Sequence, residues 1–141
     1  MNDAPSSLAT AGAAGRKHRV LVIDDHPLMR RSIVGALERE PDLSVCGEAE
    51  DVPEALAAVT ALRPDLVLTD LQLQTGSGLD LIQRLHDQAP ALPVVATTMF
   101  DVRRNERLAR AAGAVGFAAK QDGPEKLIAA IHLALNPNLE G

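Results

Sequence analysis

The 141 residues suit one domain of ordinary size, and a hydrophobic content of 46% is enough for a core. Because aromatic residues make up only 1%, that core must consist of Leu, Val, Ile and Ala. A formal net charge of −5 argues against a general nucleic-acid binder and suits a cytoplasmic protein or one that handles metal cations in an acidic cleft. The single cysteine, Cys46, excludes a disulfide framework and a zinc cluster, and no apolar stretch approaches the roughly 18 residues of a membrane span.

Apolar runs and helical spacings alternate along most of the chain. Residues 1–17, rich in Ala, Ser, Gly and Pro, are expected to form a disordered tail. One domain is expected over 18–135, followed by a short tail at 136–141. We predict strands at 19–23, 43–47, 66–69, 94–97 and 115–119, and helices at 27–40, 51–62, 79–87, 102–112 and 124–135. Asp101 is predicted to cap the fourth helix at its N-terminus and Gly113 at its C-terminus.

Five consecutive strand–helix units predict an α/β fold with a parallel sheet between two layers of helices. Right-handed crossovers leave the flavodoxin-like (βα)5 arrangement, with strand order 2-1-3-4-5, as the economical topology. That order sets the ends of strands one and three side by side. Asp24 and Asp25 follow the first strand and Asp70 follows the third, so the three carboxylates should converge on one cleft.

Three carboxylates held close together repel one another, and a hard divalent cation such as Mg²⁺ is the usual remedy. A carboxylate can also be the nucleophile that accepts a phosphoryl group, provided that donors and positive charge surround the phosphoryl oxygens. Thr98 and Lys120, at the predicted ends of strands four and five, would supply a hydroxyl and an ammonium group. Taken singly, each residue also has an ordinary structural interpretation. The pair of aspartates after strand one could cap a helix, Thr98 could be an ordinary residue at a strand end, and Lys120 could be solvated.

Four stretches together carry a family resemblance: residues 20–27 (VLVIDDHP), 66–70 (LVLTD) with Gly78 eight positions after Asp70, 93–98 (PVVATT) and 116–120 (GFAAK). They resemble the response-regulator receiver domain of two-component signalling over about residues 18–135. The DDHP motif, with residues 40–43 and 47–49, is similar to the subclass that usually carries a C-terminal helix-turn-helix. Such a chain catalyses only its own phosphorylation and dephosphorylation.

The resemblance implies a role for each residue of the cleft. Asp70 would accept a phosphoryl group from a sensor histidine kinase. Asp25 would bind Mg²⁺ directly, Asp24 would bind it largely through water, and the backbone carbonyl of Gln72 would complete the protein ligands. His26 matches a family position without catalytic use.

Two further residues are assigned to the switch by the resemblance. Thr98, together with Lys120, would hold the phosphoryl oxygens and report the phosphorylated state, and Phe117 matches the aromatic switch position. The face made by helix 102–112, strand five and the last helix would change and could support a phosphorylation-dependent homodimer. Side chains at 72 and 100 would flank the path of the water that removes the phosphoryl group.

Some features depart from the family pattern or leave alternatives open. Gln74 stands where the family usually has proline, and Met99 is larger than the usual neighbour of the switch threonine. A phosphatase of the haloacid dehalogenase type would need an acid at position 72, where this chain has Gln72. A flavodoxin-like FMN-binding protein would need a phosphate-binding loop after strand one, where the acidic residues of this chain would repel phosphate. A pseudo-receiver that acts only as a protein-interaction module stays open.

The output is not identified by the sequence. No DNA-binding domain is expected after residue 135, so DNA would be reached only through an output domain absent from this chain. The sequence leaves two interpretations open, a stand-alone receiver and a truncated form of a longer transcription regulator. No membrane association is expected.

Overall fold

A computed structural model describes residues 16–73 and 75–137 of the chain. The predicted tails at 1–17 and 136–141 therefore lie outside the described residues, apart from residues 16, 17, 136 and 137, as does Gln74. Within the described ranges, no helix has the length and apolar character needed to cross a lipid bilayer.

Strands and helices alternate in the described chain. The elements are β1 (His18–Ile23), α1 (Pro27–Glu38), β2 (Leu43–Ala49), α2 (Val52–Leu62), β3 (Leu66–Asp70), α3 (Gly78–Gln88), β4 (Val94–Thr98), α4 (Val102–Ala112), β5 (Gly116–Ala119) and α5 (Pro124–Leu135), with a 3₁₀ turn at Lys120–Asp122. All five positions of β3 and of β4 are buried, as expected of central strands covered on both faces.

The strands form one parallel sheet in the order β2-β1-β3-β4-β5, which confirms the predicted topology. The register places Ile23 beside Thr69 and Asp70 beside Thr97, so that the carboxyl ends of β1, β3 and β4 reach the same edge. Functional groups that follow these strands are therefore brought together at this edge.

Helices cover both faces of the sheet. On one face α1 and α5 contribute Leu37 and Ile131 to a core with Val22 and Leu68. On the other face α2, α3 and α4 pack against alternate strand residues, and Leu81 is one of the buried residues there. Side chains of a strand point alternately to the two faces, which is why both cores draw on the same strands.

Most differences from the sequence-based boundaries are one or two residues at element ends. Lys120 lies in the 3₁₀ turn just after β5 rather than at the strand end. Asp101 holds the N-cap position of α4 but makes no side-chain capping hydrogen bond, so the predicted cap is wrong in its chemistry. Its backbone is left-handed, with φ 42°. A capping residue usually has an extended backbone, which lets its side chain accept a hydrogen bond from the N–H of the second or third helical residue.

The two ends of the segment that follows β3 are hydrogen-bonded to each other. The backbone N–H of Gly78 donates to the carbonyl oxygen of Leu71 at 3.0 Å, and Gln72 and Ser77 form an isolated antiparallel bridge. A Cβ on residue 78 would lie 2.6 Å from the Cα of Leu71 and would also meet the carbonyl oxygen of Asp70. Only glycine therefore allows this close approach behind Asp70.

Candidate functional site

Three carboxylates and one ammonium group meet at the carboxyl edge of the sheet. Asp24 and Asp25 follow β1, Asp70 ends β3, and Lys120 begins the turn after β5. The Nζ of Lys120 donates to Oδ2 of Asp24 at 2.8 Å and to Oδ2 of Asp70 at 2.9 Å. The structure thus brings together four of the residues that the sequence singled out.

The pairing around Lys120 is buried. Its side chain is 4% exposed, and those of Asp24 and Asp70 are 1% and 2% exposed. Burial raises the pKa of Asp70 above the ordinary value, although the hydrogen bonds from Lys120 and from the backbone N–H of Gln72 oppose it. Burial alone would lower the pKa of Lys120, but its two hydrogen-bonded carboxylates outweigh burial and raise it. Lys120 is therefore held in its charged form.

The oxygens of the three carboxylates differ in how fully they are bonded. Both oxygens of Asp24 and both of Asp70 accept hydrogen bonds, with the N–H of His26 and of Gln72 as the partners besides Lys120. Oδ1 of Asp25 is buried and has no hydrogen-bonding partner among the described residues. The Nδ1 of His26 approaches it to 3.0 Å, but without the direction of a hydrogen bond.

These oxygens fit a hard divalent cation. Asp24, Asp25, His26 and Asp70 each offer one ligand atom, and these atoms all lie within 4.8 Å of one another. Mg²⁺ prefers oxygen ligands and keeps several waters, so it needs only one or two carboxylates from the protein. An unpartnered buried oxygen on Asp25, beside two carboxylates already paired with Lys120, is consistent with such a ligand set.

Thr98 reaches the acidic group through Gln72. Thr98 is fully buried, and its Oγ1 donates to Oε1 of Gln72 at 2.6 Å, while the backbone N–H of Gln72 donates to Oδ1 of Asp70 at 3.1 Å. Phe100 donates its backbone N–H to Oγ1 of Thr98 at 3.2 Å. The sequence predicted a role for the backbone carbonyl of Gln72 but did not anticipate its side-chain contact.

An open cleft of about 370 Å³ leads to Asp70 and Lys120. Its rim carries the side chains of Leu28, Met99 and Phe100, which are 79%, 48% and 64% exposed. Phe100 therefore points to solvent over the cleft instead of packing into the core. The rim is apolar although the bottom of the cleft is charged.

Phe117 lies apart from the acidic group. It occupies the middle of β5, pairs in register with Ala96, and is partly buried against the core beneath α2, α3 and α4. It also lines a second groove near the carboxyl end of α4. The structure thus places Phe117 on the face that was expected to change, without direct contact with the carboxylates.

Arg30 is a site residue that the sequence analysis missed. Its guanidinium donates to the carbonyl oxygen of Asp24 at 2.6 Å, to Glu48 at 2.8 Å and to Glu50 at 3.2 Å. It thereby ties α1 to the turn after β1 and to the end of β2. The available signal was its spacing four residues after His26, which places it on the first turn of α1 facing that turn.

Comparison with known proteins agrees with this geometry. Residues 20–132 match the family described as the response regulator receiver domain. The chain is 37% identical over 102 residues to the DNA-binding transcriptional activator DevR/DosR of Mycobacterium tuberculosis, covering 72% of this chain and 47% of that protein. It is 30% identical over 115 residues to the nitrate/nitrite response regulator NarL of Escherichia coli, covering 82% and 53%. The chain thus spans about half the length of these relatives.

Solved structures show the same fold. A two-component response regulator of the LuxR family from Aurantimonas sp. SI85-9A1 superposes with a TM-score of 0.81 at 30% identity, covering 84% of this chain and 85% of that one. The receiver domain of the putative NarL of Mycobacterium tuberculosis gives 0.77 at 30% identity, with coverage of 83% and 94%. With its fold, its acidic edge and its sequence all in agreement, the chain belongs to the response regulator receiver domains.

Proposed function

We propose that Asp70 accepts a phosphoryl group from a phosphohistidine of a sensor histidine kinase. An oxygen of Asp70 would attack phosphorus, forming a P–O bond as the P–N bond to the imidazole breaks, and the imidazole nitrogen would keep the electron pair. The observation that carries this proposal is the contact between Asp70 and the Nζ of Lys120, next to the unpartnered oxygen of Asp25.

The residues around Asp70 support transfer chiefly by position and charge. Lys120 is buried and charged, so its ammonium can turn from the carboxylate toward the incoming phosphoryl oxygens. We propose that Asp25, Asp70 and the backbone carbonyl of Gln72 bind Mg²⁺, with Asp24 contributing largely through water. When bound, Mg²⁺ would neutralise charge on the phosphoryl oxygens. The apolar rim of the cleft would meet an apolar surface on the kinase.

The switch is proposed to begin at Thr98, whose hydroxyl would turn to the phosphoryl group. The movement would be passed to Phe117 on the neighbouring strand and would alter the face made by α4, β5 and α5. A homodimer that depends on phosphorylation could form there. Among the structural relatives, RcsB has been solved as two dimers bound to two parallel DNAs.

Transcription control is the output we propose, in the bacterial cytoplasm and through a separate DNA-binding domain. This rests on relatives such as DevR/DosR, which is described as a DNA-binding transcriptional activator. The chain itself would catalyse only the gain and loss of its own phosphoryl group.

Labelling with a small phosphodonor tests the proposal. In the presence of Mg²⁺, acetyl phosphate should place acid-labile phosphate on the wild-type chain and on Asp87→Asn, in which an exposed carboxylate of α3 is removed. Asp70→Asn should take up none, and Asp25→Ala should lose Mg²⁺ affinity in calorimetry more than Asp24→Ala does. Wild-type labelling of Asp70→Asn, or no labelling of the wild-type chain, would contradict the proposal, and the second result would favour a pseudo-receiver.

A further inference from the structure

Gln72 connects the phosphoacceptor to the threonine at the end of β4. Its backbone N–H donates to Oδ1 of Asp70 at 3.1 Å, and its side-chain Oε1 accepts from Oγ1 of Thr98 at 2.6 Å. Asp70 and Thr98 are 2% and 0% exposed, so both contacts at Gln72 reach into buried parts of the site. A change at Asp70 or at Thr98 therefore alters a hydrogen bond of Gln72.

The hydroxyl of Thr98 has a single hydrogen to donate. Its distance to Oε1 of Gln72 is at the short end of the range for O–H···O bonds, whereas the carbonyl oxygen of Phe100, the other acceptor in reach, is 3.3 Å away. The backbone N–H of Phe100 at 3.2 Å occupies the acceptor side of the hydroxyl. The hydroxyl is thus directed at Gln72 and its one hydrogen is committed.

We propose that Gln72 is a positioning residue that holds the Thr98 hydroxyl in the resting orientation. This inference rests on the proposed function, in which Thr98 donates to a phosphoryl group on Asp70. The hydroxyl can serve the phosphoryl oxygen only by giving up its bond to Gln72, since it has no second hydrogen. The bond to Gln72 therefore favours the resting state, and its free energy is part of what phosphorylation must supply to populate the switched state.

The strength of this effect follows from thermodynamic linkage. Removing a contact that exists only in the resting state raises the affinity for anything that binds the switched state by the net worth of that contact. A typical net hydrogen-bond contribution corresponds to roughly two- to tenfold in affinity. Methionine has nearly the length of glutamine but lacks its amide oxygen, so Gln72→Met removes the acceptor with little change in volume.

Beryllofluoride, which mimics a phosphoryl group on a carboxylate, is the probe. Its affinity is measured by calorimetry at saturating Mg²⁺ in the wild-type chain, Gln72→Met, Thr98→Val and the double variant. Gln72→Met should bind roughly two- to tenfold more tightly than the wild type. In the Thr98→Val background the same substitution should change nothing, because no hydroxyl remains to be released.

The outcomes distinguish a failure of the role of Gln72 from a failure of the proposed function. An equal gain in both backgrounds, no gain, or a loss in the wild-type background would overturn the role of Gln72 and leave the proposed function standing. No beryllofluoride binding by the wild-type chain would overturn the proposed function and this role with it. The free energy of unfolding of the same four chains gives a second measure, since Gln72 and Thr98 should show coupled rather than additive losses.

Discussion

Lys120→Met should strongly destabilise the fold when no divalent cation is present. The substitution keeps an unbranched chain of similar length but removes two ion-paired hydrogen bonds, at 2.8 Å and 2.9 Å. It leaves Asp24 and Asp70, 1% and 2% exposed, facing each other without a counter-charge. Removing one partner of a buried pair costs about 3–5 kcal/mol, and the open cleft beside Asp70 lets water relieve part of that cost. We expect a loss of about 3 kcal/mol.

Urea unfolding in a chelator, followed by far-UV circular dichroism, measures this loss, since the chain has no tryptophan. Lys126→Met is the matched control, because Lys126 is exposed on α5 and should stay within about 0.5 kcal/mol of the wild type. Adding Asp70→Asn to Lys120→Met should restore part of the loss. A loss under about 1 kcal/mol, or an effect of Asp70→Asn that is the same with and without Lys120→Met, would show that Lys120 does not offset the charge of the buried carboxylates.

Three other substitutions test separate parts of the site. Asp70→Asn should stabilise the metal-free chain near neutral pH. The pKa of Asp70 is raised in the folded state, so the wild-type chain loses stability as pH rises through that pKa, whereas asparagine cannot ionise. In urea unfolding across pH, the gain should vanish below about pH 3.9, where the carboxyl group is protonated in both states. Gly78→Ala should cost about 1–3 kcal/mol in the same assay. Gly35→Ala on α1, where the added Cβ would lie 3.8 Å from Nη1 of Arg39 in an ordinary contact, should instead gain up to about 1 kcal/mol. Phe100→Glu should speed loss of the phosphoryl group severalfold, since it replaces an apolar, 64% exposed side chain on the rim with a group that can orient water; an unchanged half-life of the phosphorylated chain would count against any such guarding role.

The positions of the carboxylates could be predicted because they depend on strand order alone. A buried run such as Leu66–Asp70 indicates a central parallel strand, and residues that follow such strands must share one edge of the sheet. Asp24 and Asp70 therefore could be placed together before any coordinates were known. The same argument brought Lys120 to the right edge, although it begins a turn instead of ending β5.

Contacts that depend on loop conformation could not be predicted. The bond between Gln72 and Thr98 joins residues 26 positions apart, and only the path of the segment after β3 decides where the side chain of Gln72 points. At Asp101, sequence preference indicated a capping side chain, but its left-handed backbone leaves the cap unformed. The side-chain amide of Asn105 donates a hydrogen bond to the carbonyl oxygen of the preceding Phe100 at 2.7 Å. Sequence preferences around Asp101 do not predict this contact.

The hydrogen bond between Gly78 and Leu71 makes the position of Asp70 independent of the length of the segment between those two residues. Because Gly78 is bonded to Leu71, extra residues between Thr75 and Gly76 would enlarge a loop whose ends stay joined. Doubling the length of a flexible loop costs only about 0.6 kcal/mol in closure entropy. We therefore expect this stretch to tolerate sequence divergence, or a grafted recognition segment, without displacement of the Asp70 carboxylate.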